Sequence, residues 1–326
     1  MFGFPSEASW QHLVERSLKI ALPEAIATKT PTTTVVIGLK AVVAAAVAYG
    51  INSALNARAM EGLLSKDTWD WTKEIVLITG GSSGMGQIMA KKFVAKKIKV
   101  IILDIVPPPD AEPNLLFYQT DITQPDAIKE AAEQIRKDVG DPTVLINNAG
   151  ISLGMNLLDC NESQIRRMFE VNTMALFWTT REFLPDMVKK NHGHVVTMAS
   201  MASFVTIAGN IDYSCSKVAS LAFHEGLRQE LKHRYNARNV QSSVVHPYWV
   251  RTPMTTNLMA SPDFKDSIIE PEDVAELVVR QVLSGRGRQL IIPWTKGIAT
   301  IVRAFPEWLQ EMVRDSKSDI LRNTQF

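Results

Sequence analysis

The sequence predicts an α/β fold, a doubly wound parallel sheet of about seven strands with helices on both faces, preceded by a helical extension of different character. Three observations predict it. From Glu74 to Ile292, short apolar runs alternate with segments long enough for helices, a pattern that builds βαβ units and so a parallel sheet. The apolar runs are apolar at nearly every position, as strands buried on both faces are. The first of them ends in the glycine-rich turn Thr79-Gly-Gly-Ser-Ser-Gly-Met-Gly86.

In chain order, Glu74–Thr79 is the first strand, and the glycine turn opens a helix running to about Ala95. Lys99–Asp104 is a second strand, ending in an acid, and Leu115–Gln119 a third. Asp121-Ile122-Thr123 and a helix near Asp126–Val139 follow. Val144 to Asn147 forms the fourth strand and runs into Asn147-Asn148-Ala149-Gly150. Helices are expected at about Glu162–Asn172 and Ala175–Lys190, then a fifth strand at His194–Ala199. A helix starts at Ile211. Val240–His246, a helix over Pro271–Leu283 and Gln289–Ile292 complete the pattern.

Composition narrows the possibilities. The chain has 326 residues, 46% hydrophobic and 21% charged, with a formal net charge of +1. That length suits one large domain plus extensions. Near-neutral charge argues against nucleic acid as a partner. Cys160 and Cys215 stand in unrelated contexts without metal-ligand spacing, so a reducing compartment is expected and no metal site. We divide the chain into an extension over residues 1–70, a catalytic domain over 71–293 and an amphipathic tail over 294–326.

In the extension, Trp10, Leu13, Val14, Leu18, Ala21 and Leu22 follow helical spacing. The run Val35–Ile51 then carries a single charge, Lys40. A spanning helix needs about 20 apolar residues, so the run is marginal. It reads as a membrane-spanning helix, an interfacial one or a helix packed on the catalytic domain. It begins too far from Met1 for a cleaved signal peptide.

Chemistry concentrates at strand ends and on the Ile211 helix. Glycines at a strand-to-helix turn let a backbone approach a pyrophosphate, and the helix N-terminus adds free N–H groups and partial positive charge. Here the spacing is Gly80-x-x-x-Gly84-x-Gly86. Asp104, eighteen residues after Gly86, can accept hydrogen bonds from ribose hydroxyls and would repel a 2′-phosphate. No basic residue lies between Ile105 and Ala111, and Ser83 offers no charge beside Gly84. NAD is therefore expected over NADP. Tyr213 and Lys217, four apart on one helix, project from the same face. A phenol has a reference pKa of about 10, and an ammonium within roughly 4–6 Å lowers it by about 1–3. Such a phenol exchanges protons with an alcohol or carbonyl oxygen. His224, His246 and Cys215 read as packing residues.

Taken together, these motifs resemble the short-chain dehydrogenase/reductase family over roughly Lys73 to Ile292. The resemblance implies a Rossmann-type catalytic domain and a tetrad of Ser200, Tyr213, Lys217 and Asn172. Tyr213 would be the acid/base. Ser200, thirteen residues earlier, would bond the substrate oxygen, Lys217 would hold the nicotinamide ribose, and Asn172 would hold a water on the proton path. Cofactor contacts would come from Gly80, Ser82, Ser83, Gly84, Met85, Gly86, Asp104, Asp121, Ile122, Asn148, Ala149, Gly150, Tyr213, Lys217, Val250 and Thr252. One position departs from the family. Pro247-Tyr248-Trp249-Val250-Arg251-Thr252 has Tyr248 where a glycine is usual, so a phenol would narrow the site or meet the substrate.

The loop Thr252–Ile269 should cover the substrate. Met254, Leu258, Met259 and Phe264 offer apolar contacts and no basic anchor, which favours a lipophilic alcohol or ketone. In the tail, Trp294, Ile298, Ile301, Phe305 and Trp308 sit among Lys296, Arg303 and Arg314. That mixture suits a membrane interface or packing on the domain or a second subunit. Joined to an apolar N-terminal run, the domain is similar to the family's membrane-associated retinol and 17β-hydroxysteroid branch. This implies retinoid, steroid or related lipid substrates, and a catalytic domain on the cytosolic face of the endoplasmic reticulum or a lipid droplet. A homodimer is implied by analogy. An NADP-dependent ketoreductase and a catalytically silent membrane-bound scaffold are the alternatives.

Overall fold

The computed structural model describes residues 32–60, 69–261 and 264–322. The expected amphipathic segment at Trp10–Leu22 lies outside them. The chain divides into two compact units, Met1–Met60 and Glu61–Phe326. In the first, Thr32–Met60 forms one continuous helix (α1). Its stretch Ile37–Asn56, 20 residues, is long and apolar enough to cross a membrane. The helix thus runs past the apolar run that ends at Ile51, because nothing from Asn52 to Met60 breaks it.

The second unit is a seven-stranded sheet in the order β3-β2-β1-β4-β5-β6-β7. All six strand pairs are parallel. The strands are β1 (Ile75–Thr79), β2 (Lys99–Asp104), β3 (Leu115–Gln119), β4 (Val144–Asn147), β5 (Gly193–Met198), β6 (Val240–Pro247) and β7 (Gln289–Ile292). Helices α2 (Gly84–Val94), α3 (Pro125–Asp138), α4 (Glu162–Phe169), α5 (Ala175–Lys190), α6 (Ile211–His233), α7 (Thr256–Ala260), α8 (Pro271–Leu283) and α9 (Glu307–Asp315) connect them or follow.

Strand alternation sorts the core into two layers. Val76, Ile78, Val100 and Ile102 face Met89, Phe93 and Val278 on one side. Leu77, Ile101, Leu103 and Leu145 face Ile135, Phe183 and Leu227 on the other. Since side chains alternate across a strand, a strand must be apolar throughout to serve both layers. Truncating one of these fully buried residues to Ala would cost about 2–5 kcal/mol.

Two boundaries differ from the sequence pattern for physical reasons. The helix starting at Glu162, with Asn161 and Gln164 forming a capping box, ends as an α-helix at Phe169. Glu170–Met174 then forms a π turn that leads into α5. Glu74 falls just outside β1, and its buried carboxylate takes His192 Nε2 at 3.1 Å instead.

Candidate active site

The site opens where the strand order reverses, between β1 and β4, the place where doubly wound sheets bind ligands at their carboxyl ends. Thr79 Oγ1 at the end of β1 accepts from Asn148 N and Ala149 N, both at 3.1 Å. In return, Asn148 Nδ2 donates to the carbonyls of Thr79 (3.1 Å) and Gly80 (2.9 Å). The two strand ends thereby hold the glycine turn rigid. A Cβ on Gly86 would stand 2.1 Å from Gly80 O and 2.6 Å from Asn148 Nδ2, so only glycine lets α2 start this close. Gly84 has φ +52°, with nothing nearer a Cβ than Thr252 at 3.9 Å. The turn is therefore open toward the cleft, a fit for the pyrophosphate of a dinucleotide.

This cleft, about 450 Å³, is lined by Gly80, Ser83, Gly84, Met85, Asp104, Asp121, Ile122, Asn148, Ala149, Gly150 and Thr252 of the residues expected to hold cofactor. Ser82 and Gly86 stand behind its wall. Ser82 Oγ donates to Val106 O at 2.6 Å, and its N–H donates to Asp104 Oδ2 at 3.0 Å. The other oxygen of Asp104 accepts from Ile105 N at 2.8 Å, so backbone amides aim this carboxylate along the cleft edge. Burial pushes the Asp121 carboxyl up, but hydrogen bonds from Thr123 and the charge of Arg167 outweigh it, and the pKa is lowered. Arg167, which donates to Thr123 Oγ1 at 2.9 Å, also lines the cleft. No motif in the sequence singled it out.

Tyr213, Lys217, Ser200 and Val250 line an adjoining cavity of about 370 Å³. Ser200 stands two residues past the end of β5 and caps a short 3₁₀ turn, Met201–Ser203, its Oγ accepting from Ala202 N at 3.1 Å. Nearby Ser203 is fully buried and donates to Lys217 O at 2.7 Å, which leaves it no role in the cavity. Lys217 Nζ lies 5.5 Å from the Tyr213 ring centroid and donates to Met198 O at 2.9 Å. Asn172 lies on the π turn, and its carboxamide pairs with Ile151, Oδ1 accepting at 2.8 Å and Nδ2 donating at 2.9 Å. A Cβ on Gly150 would meet Asn172 Oδ1 at 3.4 Å and Lys217 Nζ at 3.5 Å. The four predicted tetrad residues are thus gathered at one end of the sheet, with Asn172 behind the cavity wall.

The electrostatics correct one expectation. The Tyr213 phenol is raised rather than lowered, because burial outweighs the opposing hydrogen bond with Ser200. Lys217 is itself pushed down to about 8 by burial. Burial costs both groups their charged forms, and the expected lowering left that cost out.

The substrate end also differs from expectation. Of the apolar loop residues, Met254 lines the cavity. Leu258 and Phe264 turn away and pack with Ile320 and Leu321 of the tail. Met259 Sδ lies 3.5 Å from Arg251 Nη1. The missing wall comes from the tail itself, where Lys296, Ile298, Val313, Lys317 and Ile320 face the cavity. The tail therefore packs partly on its own domain, although Trp294 (83% exposed) and Trp308 (69%) face outward. Tyr248 lines the same cavity, and its hydroxyl donates a short hydrogen bond to Asp266. Lys317 Nζ reaches the same carboxylate oxygen at 2.9 Å. Burial, then the Asp266 charge, pushes the Tyr248 phenol up. The phenol forms one side of the site and is held back by this clasp.

His224 and His246 are packing residues as expected, whereas Cys215 is exposed on α6. His246 Nδ1 donates to Ser200 O at 3.0 Å, and His224 Nδ1 pairs with Ser242 Oγ at 2.8 Å. Cys160 and Cys215 are both free thiols, yet they share the wall of one small pocket, a proximity the sequence does not reveal.

A dinucleotide-sized cleft running into a hydroxyl-bearing cavity is the layout of an NAD(P)-dependent oxidoreductase. The chain belongs to the short-chain dehydrogenase family, whose model matches residues 74–263. Dehydrogenase RED2 of Cochliobolus heterostrophus is 43% identical over 198 residues, covering 60% of this chain and 75% of that protein. Estradiol 17-beta-dehydrogenase 11 of Rattus norvegicus is 33% identical over 251 residues, covering 74% and 83%. Retinol dehydrogenase 10-B of Danio rerio is 34% identical over 210 residues, covering 56% and 62%. The similarity thus runs to the retinol and steroid dehydrogenase branch. Among solved structures, the 3-ketoacyl-(acyl-carrier-protein) reductase from Brucella melitensis complexed with NADH shares the fold. Its TM-score is 0.60 at 22% identity, covering 68% of this chain and 98% of that one.

Proposed function

We propose that the protein interconverts a lipophilic alcohol and the corresponding carbonyl compound, preferring NAD to NADP, with Tyr213 as acid/base. One observation carries this reading: Tyr213, Ser200 and Lys217 meet on the wall of a mostly apolar cavity that adjoins the glycine-turn cleft. When bound, the nicotinamide supplies or accepts the hydride. Ser200 Oγ holds the substrate oxygen and stabilises charge developing on it. Tyr213 Oη gives that oxygen a proton in reduction and takes it in oxidation. A raised phenol pKa keeps the proton on Tyr213 near neutrality, ready for donation, and makes the oxidation direction gain as pH rises. Lys217 lends positive charge beside the ring and, with Asn172 across Gly150, continues the proton path. Asp104 supports NAD, because its aimed carboxylate would repel a 2′-phosphate. Helix α1 supports attachment to a membrane, where lipophilic substrates collect.

The test is turnover of a panel of retinoid, steroid and long-chain secondary alcohols with NAD. Tyr213→Phe should lower kcat by about 10³, within the range for removing a general acid/base, while NADH binding followed by nicotinamide fluorescence persists. Turnover unaffected by the substitution, or tighter binding of NADPH than NADH, refutes the reading.

A further inference from the structure

The substrate cavity is apolar over most of its wall, yet among the described residues its charged lining residues are all lysines: Lys217, Lys296 and Lys317. None of the described aspartates or glutamates lines it. Two of the three cations are accounted for. Lys217 belongs to the reaction centre, and Lys317 is neutralised by Asp266 at 2.9 Å. Lys296 makes no ion pair with any described residue. Its ammonium rests over the Tyr248 ring, 4.5 Å from the centroid, a contact that orients the cation without neutralising it. The Tyr248 hydroxyl is itself taken by Asp266, so the ring is fixed and carries Lys296 with it. A half-buried cation that no described carboxylate pairs with, on the wall of an apolar cavity, leaves a place for an anion brought by the ligand.

We infer that Lys296 is the anchor for an anionic end of the substrate, so that the natural substrate is an amphiphile: a hydroxy- or keto-substituted hydrocarbon ending in a carboxylate. This rests on the reading of the cavity as an alcohol or ketone site, and it narrows the substrate class from neutral lipids to acidic ones. The apolar walls from Val205, Ile207, Ile298 and Val313 take the hydrocarbon, while Tyr213 and Ser200 meet the oxygen to be oxidised or reduced.

The probes are ricinoleate, a secondary hydroxy fatty acid, and its methyl ester, used below their aggregation limits with the full-length enzyme. They differ in the terminal charge. Wild-type enzyme should bind the acid about tenfold more tightly than the ester, read both by quenching of tryptophan fluorescence and as kcat/KM. Lys296→Met should collapse that acid-to-ester ratio toward one, and Lys296→Arg should restore most of it. Raising ionic strength should shrink the wild-type ratio in the same direction. Equal affinity for acid and ester in the wild type, or a Lys296→Met effect that falls equally on both, overturns the inference. If neither probe is turned over, the reading of the reaction is in question. The binding ratio still decides the role of Lys296.

Discussion

The two ends of the cleft are built in opposite ways. At the glycine-turn end, short polar side chains bond to neighbouring backbone: Thr79 Oγ1 and Asn148 Nδ2 tie the ends of β1 and β4 to the turn, and amides aim Asp104. At the substrate end, side chains from distant elements make the wall. Tyr248 after β6, Asp266 in the loop and Lys317 in the tail meet in one clasp. The difference teaches where change is tolerated. Where two side chains hold several backbone groups within one turn, substitution breaks many bonds at once, whereas a wall of separate side chains can be refitted residue by residue.

Acid should separate the two ends most strongly. His194, His224 and His246, on β5, α6 and β6, are held neutral by burial, with pKa values down to about 3, 3 and 4. Each is lower than in the unfolded chain, which therefore binds more protons once pH drops below about 6.5. Stability is lost from there down toward pH 4, at about 1.4 kcal/mol per pH unit for each histidine. Strands β1 and β2 contain no histidine. Hydrogen exchange at pH 5 should accordingly open amides of β5 and β6 before those of β1 and β2, and His194→Gln should reduce the pH slope by about one proton. Uniform opening across the sheet would erase the contrast.

Gly86→Ala comes next in size. The added methyl meets Gly80 O at 2.1 Å, and the backbone must give way. Overpacking costs of about 3 kcal/mol translate to a hundredfold loss of NADH affinity, measured by fluorescence titration, together with a lower Tm. A variant that binds NADH normally would show the cofactor end to be as adaptable as the substrate end. Smallest is Asp104→Asn, which keeps an oxygen to accept from Ser82 N but removes the charge. The NADH-to-NADPH affinity ratio should fall about tenfold with little change in Tm. No change in that ratio would separate Asp104 from cofactor choice.

Legibility in the sequence follows the same division. Strands buried on both faces announce themselves as apolar runs, so the glycine turn Gly80–Gly86 and the acid Asp104 are legible at strand ends, whereas Asn148–Gly150 and Ser200 stand out only through the resemblance to the family. The π turn at Asn172 is not legible, because a one-residue change in hydrogen-bond register leaves helical periodicity almost intact. The raised phenol of Tyr213 is not legible either, because a nearby charge is visible in sequence while burial is not. The loop residues Leu258 and Phe264 were expected against substrate and instead hold the tail, since a short apolar stretch does not reveal which apolar neighbour it will meet. Lys296 and Lys317 lie about 80 and 100 residues from Tyr213. Only the fold brings them to one cavity.

The Tyr248–Asp266–Lys317 clasp has a consequence for how such an enzyme diversifies. It fastens the tail beside the cavity that Tyr213, Ser200 and Lys217 line, without drawing on any of these three residues. The wall that Lys296, Ile298, Val313 and Ile320 supply can thus be remodelled while Tyr213, Ser200 and Lys217 stay where β5 and α6 hold them.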